Sequence, residues 1–137
     1  MADSLSGGCM CGAVRYTCEA QPAATVVCHC MDCKKHTGSA YATAIFFLKS
    51  ELKVTGELQT FDKETDSNNV MTRTFCGTCG GHISEWTTAY PETVVVHAGT
   101  LDDPTAVSPD SQCWTPGTLH WINDVGSLKG FEKDPEF

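Results

Sequence analysis

Positive charge is scarce in this chain. Nine Lys and Arg stand against seventeen Asp and Glu, for a formal net charge of -8. No basic arm or stripe is present, which argues against coating nucleic acid or an anionic membrane surface. Long apolar runs are missing as well. The longest, about Ala40 to Leu48, falls far short of the roughly 20 residues a membrane-spanning helix needs. The opening Met1-Ala2-Asp3-Ser4-Leu5-Ser6-Gly7-Gly8 has neither a basic n-region nor an apolar h-region, so no secretory signal is expected. Internal repeats, low-complexity blocks and linkers are absent. With 137 residues, 41% apolar and 19% charged, the chain is expected to be one globular, cytoplasmic domain.

Cysteine, by contrast, is plentiful. Of the nine present, seven fall into three tight groups: Cys9-Met10-Cys11, Cys28-His29-Cys30-Met31-Asp32-Cys33 and Cys76-Gly77-Thr78-Cys79. Thiols this close in a reduced chain are poor disulfide partners and good metal ligands. A thiol becomes a strong ligand once a metal displaces its proton. Seven thiolates divide naturally into a closed set of four and an open set of three, the division that separates structural from catalytic zinc.

Most of the remaining sequence reads as strand. Ala13-Val14-Arg15-Tyr16 alternates within Cys11 to Cys18, and Ala24 to Cys28 and Ala40 to Leu48 are apolar runs. Leu52 to Val54 and Leu58 to Phe61 flank Thr55-Gly56-Glu57, which predicts a hairpin. Val70 to Phe75 alternates, and Thr93 to His97 is rich in β-branched residues. The one helical segment is short, Met31 to His36, with Gly38 placed to end it. Many short strands with frequent turns predict a mainly β domain. From Asp102 to Phe137 the chain is rich in Pro, Gly and Asp, and its pattern assigns little structure.

The spacing suggests how sulfurs converge. On an extended strand, residues i and i+2 share a face, so Cys9 and Cys11 are expected to aim at one point. Gly7-Gly8 and Gly12 allow the backbone to turn around an ion. Cys76-Gly77-Thr78-Cys79-Gly80-Gly81 reads as a knuckle offering two more ligands. Together these pairs make a tetrahedral four-cysteine zinc site. Cys28 and Cys30 at a strand end, with Cys33 one turn on, supply three sulfurs and leave a fourth position for water or substrate. Two other groupings stay open at this level: completion of the second site by His29, His36 or Asp32, and joining of Cys9 and Cys11 to it.

Four ordered motifs carry a resemblance to a known family. They are Gly7-Gly8-Cys9-Met10-Cys11-Gly12-Ala13-Val14-Arg15-Tyr16, the segment Cys28 to Ser39, Phe75-Cys76-Gly77-Thr78-Cys79-Gly80, and Ala98-Gly99-Thr100-Leu101-Asp102-Asp103-Pro104. In these the chain resembles the glutathione-dependent formaldehyde-activating enzymes, also called the GFA or centromere-protein-V-like domain. The resemblance implies a β-tent fold of short antiparallel strands with one short helix and two zinc ions. It implies a structural zinc on Cys9, Cys11, Cys76 and Cys79 and a catalytic zinc on Cys28, Cys30 and Cys33. The implied reaction is a carbon–sulfur lyase step, the addition of the glutathione thiol to formaldehyde or its reversal. The resemblance also suggests members with other substrates. A single domain over residues 1–137 is expected, with the motifs in 7–104 and 105–137 packed on them as a C-terminal extension.

The family's central motif often carries Arg-Lys after its third cysteine; here Lys34-Lys35 stands there, without the bidentate guanidinium fork. Lys34 and Lys35 are the candidates for binding the carboxylates of a thiol substrate, with Arg15 and Arg73 adding local positive charge. His36 and His29 flank the open site, and His36 is the candidate proton relay. Thr37 and Ser39 are expected to cap a turn, and His97 to be a satisfied core or edge histidine. Trp86, Trp114 and Trp121 are expected to serve in packing, Cys18 in the core, and Cys113 has no assigned role. Expected partners are small thiol and aldehyde molecules, with no nucleic acid or membrane and with homodimerisation left open. A non-catalytic, zinc-stabilised binding module is the rival reading.

Overall fold

A computed structural model describes residues 4–136. Its strands are β1 (Leu5–Gly8), β2 (Arg15–Cys18), β3 (Ala24–Cys28), β4 (Ala42–Leu48), β5 (Leu52–Thr55), β6 (Leu58–Glu64), β7 (Val70–Cys76), β8 (His82–Thr87), β9 (Thr93–His97) and β10 (Ser111–Cys113). One α-helix, α1 (Met31–Thr37), lies between β3 and β4. Five short 3-10 turns complete the regular structure of the described residues. The architecture is mainly β, as the pattern of short strands predicts. No helix among the described residues is long and apolar enough to cross a membrane.

The strands form two sheets, one in the order β1-β2-β5 and one in the order β10-β3-β4-β9-β8-β7-β6. All pairings are antiparallel except β10 with β3, which is parallel. The core lies where the sheets meet. Val14, Tyr16 and Cys18 come from the small-sheet side, and Ile45, Phe47, Ile83, Val94 and Val96 from the large sheet. Tyr16 reaches furthest: its hydroxyl donates to Thr100 Oγ1 (2.7 Å), which donates to the His97 carbonyl (2.7 Å). Its polar tip is thereby satisfied inside the core, as burial requires. Cys18 is fully buried, as expected, and desolvation pushes its thiol up to about 12. β6 is exposed along nearly its whole length and carries Asp62, Lys63 and Glu64 at the sheet edge, where charge discourages pairing with another chain.

Two local expectations need correction. Cys9 and Cys11 are not on a strand; they occupy the turn between β1 and β2, where the Gly12 N–H donates to the Cys9 carbonyl (3.2 Å). A turn folds the two sulfurs together more tightly than a pleated strand can. The segments around Gly56 do not form a hairpin either. β5 pairs with β2 and β6 pairs with β7, so Thr55-Gly56-Glu57 carries the chain from one sheet to the other. The turn was read correctly but the partner was not: a local turn signal does not say which strands pair across it. Gly56 has φ +104, and a Cβ there would lie 2.3 Å from the Ala13 carbonyl oxygen.

Gly56→Ala should therefore cost about 3 kcal/mol of folding stability, combining left-handed strain with a backbone collision. Gly99→Ala, where an added Cβ meets nothing within 4 Å, should cost less than about 1 kcal/mol. Chemical denaturation of both variants checks the contrast; equal losses would contradict it.

Candidate metal centre and active site

The four-cysteine group is assembled from two distant turns. Cys9 and Cys11 come from the β1–β2 turn, and Cys76 and Cys79 from the β7–β8 turn. The Cys9 and Cys11 sulfurs lie 3.6 Å apart and those of Cys11 and Cys76 3.7 Å apart. A tetrahedral zinc with Zn–S bonds near 2.3 Å requires sulfurs separated by about 3.8 Å, so this donor set fits the ion. The knuckle after β7 closes through Gly80 N–H to the Cys76 carbonyl (2.8 Å) and Cys76 N–H to the Gly81 carbonyl (2.9 Å). Gly80 has φ +75, a conformation for which glycine is the natural residue. Backbone amides aim at the sulfurs: Val14 N–H at Cys9 (3.3 Å) and Thr78 N–H at Cys76 (3.4 Å). The Val14 amide lowers the Cys9 thiol, and amides at Cys11 and Gly81 hold Cys79 down to about 6. The amides thus favour thiolate at Cys9 and Cys79, while the Cys9 sulfur helps push the Cys11 thiol up to about 11.

The three-cysteine group sits where β3 passes into α1. Cys28 ends the strand, Cys30 is the helix N-cap, and Cys33 is in the first turn. The Cys30 sulfur accepts from the Cys33 N–H at 3.2 Å, taking the place an Asp or Ser would hold at this cap. The hydrogen bond from Cys33 holds the Cys28 thiol down to about 5, and the same contact drives Cys33 upward. The three sulfurs lie within 4.8 Å of one another. Their convergence fits a metal ligand set of three sulfurs.

The candidate fourth ligands go elsewhere. His29 is buried, and its Nε2 pairs with Gln112 Oε1 at 2.9 Å. Asp32 pairs with Lys63. His36 Nε2 meets His82 Nδ1. Cys9 and Cys11 group with Cys76 and Cys79 rather than with this set. Cys113, which sequence left without a role, lies opposite Cys28 in the parallel β3–β10 ladder. Partial desolvation, reinforced by the Cys28 sulfur, pushes its thiol up to about 11.

The proposed substrate-binding cations are distributed unevenly. Lys34 Nζ donates to the Gly117 carbonyl, whereas Lys35 is exposed on α1. Arg15 is forked onto Asp102, with one arm at 2.8 Å. Arg73 is buried against Glu85, with Nε 3.1 Å from Oε2. Thr37 and Ser39 behave as capping residues: Thr37 Oγ1 donates to the Cys33 carbonyl and accepts from the Ser39 N–H. Trp114 and Trp121 are substantially exposed, and Trp86 packs on the core with Lys49 over its ring.

Sequence reasoning missed one cluster altogether. His36 from α1, His82 from the start of β8 and His97 from the end of β9 bring their rings together. His82 and His97 stack with centroids 4.2 Å apart, and His36 meets both edge-on. An irregularity at Ile83 of β8, opposite the Thr74–Phe75 step of β7, sets this register: Thr74 faces Ser84, while Phe75 faces His82. His97 Nε2 lies 2.8 Å from Glu85 Oε1. The three rings line a cavity of about 640 Å³ together with Thr37, Ser39, Tyr41 and Phe75. His36 was noticed because it follows a cysteine motif. No local spacing ties it to His82 or His97, so only the topology reveals the group.

Two cysteine groups, one built from two turns and one where β3 passes into α1, make this a cysteine-rich β domain whose sulfurs could hold metal ions. The sequence model described as glutathione-dependent formaldehyde-activating enzyme (GFA) matches residues 4–117, and the chain belongs to that family. No protein in the curated set matches it. Among solved structures it is similar to a crystal structure of a Rhodobacter sphaeroides protein, at 24% identity and a TM-score of 0.61. That likeness covers 78% of this chain and 98% of the other, and it supports the fold.

Structural zinc in small domains contributes an apparent ~10–16 kcal/mol, against a whole-domain stability of about 5–15 kcal/mol. Cys76→Ser should therefore yield insoluble or molten protein. Cys30→Ser, at the second centre, should stay folded and lose the chemistry. Circular dichroism and soluble yield separate the two cases; equal collapse of both variants would contradict the division.

Proposed function

We propose that the chain is a zinc-dependent carbon–sulfur lyase-type enzyme. It forms or cleaves the adduct of glutathione, or another small thiol, with a small aldehyde such as formaldehyde. The observation that carries this reading is the convergence of Cys28, Cys30 and Cys33 with no histidine or carboxylate grouped with them among the described residues. Zinc at these sulfurs supplies positive charge that favours the thiolate form of a substrate thiol and can polarise a carbonyl.

In the forward direction the substrate sulfur forms a bond to the aldehyde carbon. The carbonyl π pair moves to oxygen, which takes up a proton equivalent to the one the thiol gave up. The chain's residues bring the two reactants together. Ser39 and Tyr41 line the cavity beside the C-terminal end of α1 and can orient a polar substrate. Lys35, exposed on the same helix as Cys33, can meet a substrate carboxylate as a point charge.

A second reading rests on Cys113. Its place opposite Cys28 makes it a candidate fourth sulfur, which would turn the open centre into a second structural one and the domain into a binding module.

The test is thiol-dependent turnover of formaldehyde by the zinc-loaded chain and by Cys113→Ala, followed by NMR of the hydroxymethyl thioether. The enzyme reading expects acceleration over the uncatalysed addition by both proteins, within about threefold of each other. No acceleration by either, with zinc lost from the three-cysteine centre in Cys113→Ala, would favour the module. Full zinc loading without acceleration would remove the glutathione version.

A further inference from the structure

We propose that His36, His82 and His97 form a third metal site, distinct from both cysteine centres, that takes a borderline divalent cation such as Zn²⁺ and leaves coordination positions open to the adjoining cavity. Three separate elements supply the ligands: α1, the first residue of β8 and the last residue of β9. One ring nitrogen from each lies within 4.8 Å of the others. Tetrahedral zinc with Zn–N near 2.0–2.1 Å needs nitrogens separated by about 3.3 Å, a distance that modest χ rotations reach from here.

The surroundings match a metal site better than a packed core. Glu85 Oε1 accepts from His97 Nε2 at 2.8 Å, which leaves the Nδ1 lone pair of His97 available to a cation. This carboxylate–imidazole arrangement is the usual second layer behind a metal-bound histidine. Arg73, buried beside Glu85 at 3.1 Å, offsets the carboxylate's charge. Glu85 therefore remains an acceptor without adding net charge to the group. His82 Nε2 is buried with no hydrogen-bond partner. His36 Nε2 and His82 Nδ1 face each other directly, and a cation between imidazoles converts such a contact into shared coordination. Imidazole sets of this type suit zinc and its neighbours rather than calcium or magnesium. The cavity of about 640 Å³ on the open side admits water or a small oxygen ligand.

The test uses the full, untagged chain. It is dialysed free of loose metal, titrated with Zn²⁺ and analysed for bound zinc and for imidazole scattering at the zinc edge. The wild type is expected to retain one ion more than His82→Gln or His36→Ala, with the sulfur shell unchanged and imidazole scattering lost in the variants. Glu85→Gln should weaken the extra ion about 10- to 100-fold while leaving the sulfur-bound ions in place. Circular dichroism confirms folding, and His36→Ala, at a half-buried helix position, serves if His82→Gln does not fold. Equal zinc content in the wild type and a folded histidine variant would overturn the proposal, as would an absence of imidazole scattering in the wild type. Neither readout depends on turnover of formaldehyde.

Discussion

Sulfurs held 3.6–3.7 Å apart must share either protons or a cation. Two thiolates at that distance repel by about 5 kcal/mol even at an effective dielectric of 20. The backbone nevertheless aims N–H groups at the Cys9 and Cys76 sulfurs, which favours their charged forms. A metal would resolve the conflict and would tie the β1–β2 turn of the small sheet to the β7–β8 turn of the large one. The apolar core between the sheets is modest, so such a tie would fix their relative placement. Gly7 shows how closely the layers approach: a Cβ there would lie 2.3 Å from the Thr100 carbonyl oxygen and 2.5 Å from the Tyr16 hydroxyl.

Around that frame, α1 brings together two kinds of donor. Its N-terminal end carries Cys30 and Cys33, and its C-terminal end carries His36. Residues three apart on a helix are neighbours, so thiolate and imidazole chemistry lie within one turn of each other. The helix closes at Gly38, with φ +68 and its N–H on the Lys34 carbonyl at 2.8 Å. The chain then enters β4 past Tyr41, whose hydroxyl borders the same cavity as the histidines. On the sheet side, the irregularity at Ile83 of β8 shifts the register so that His82 rather than Ile83 faces Phe75.

Much of this was legible in the residues because cysteine spacing is local. The Cys-x-Cys and Cys-x-x-Cys pairs, the glycines that close them and the N-cap position of Cys30 all lie within a few residues of one another. The short helix and its glycine stop were legible for the same reason, as were the β-branched strand β9 and the alternating strand β7. What escaped depends on distant partners. The Gly56 turn has a hairpin's composition, yet β5 pairs with β2 and β6 with β7, partners far from the turn in sequence. Cys113 meets Cys28 through a parallel strand of three residues, too short to leave a periodic signature. His82 and His97 stack across adjacent strands, and Glu85 and Arg73 form a buried pair behind them. Charged residues in a β-strand read as solvent-facing by default, which hid that pair.

The account stands on the coupling of metal to fold at the four-cysteine centre. Denaturant unfolding measured over a series of buffered free-zinc concentrations tests it most directly. If zinc is part of the folded frame, stability rises by about 1.4 kcal/mol per tenfold increase in free zinc for each coupled ion once free zinc exceeds the folded site's dissociation constant, and tertiary structure is lost in excess chelator. An unfolding midpoint that stays the same with and without zinc would contradict the account.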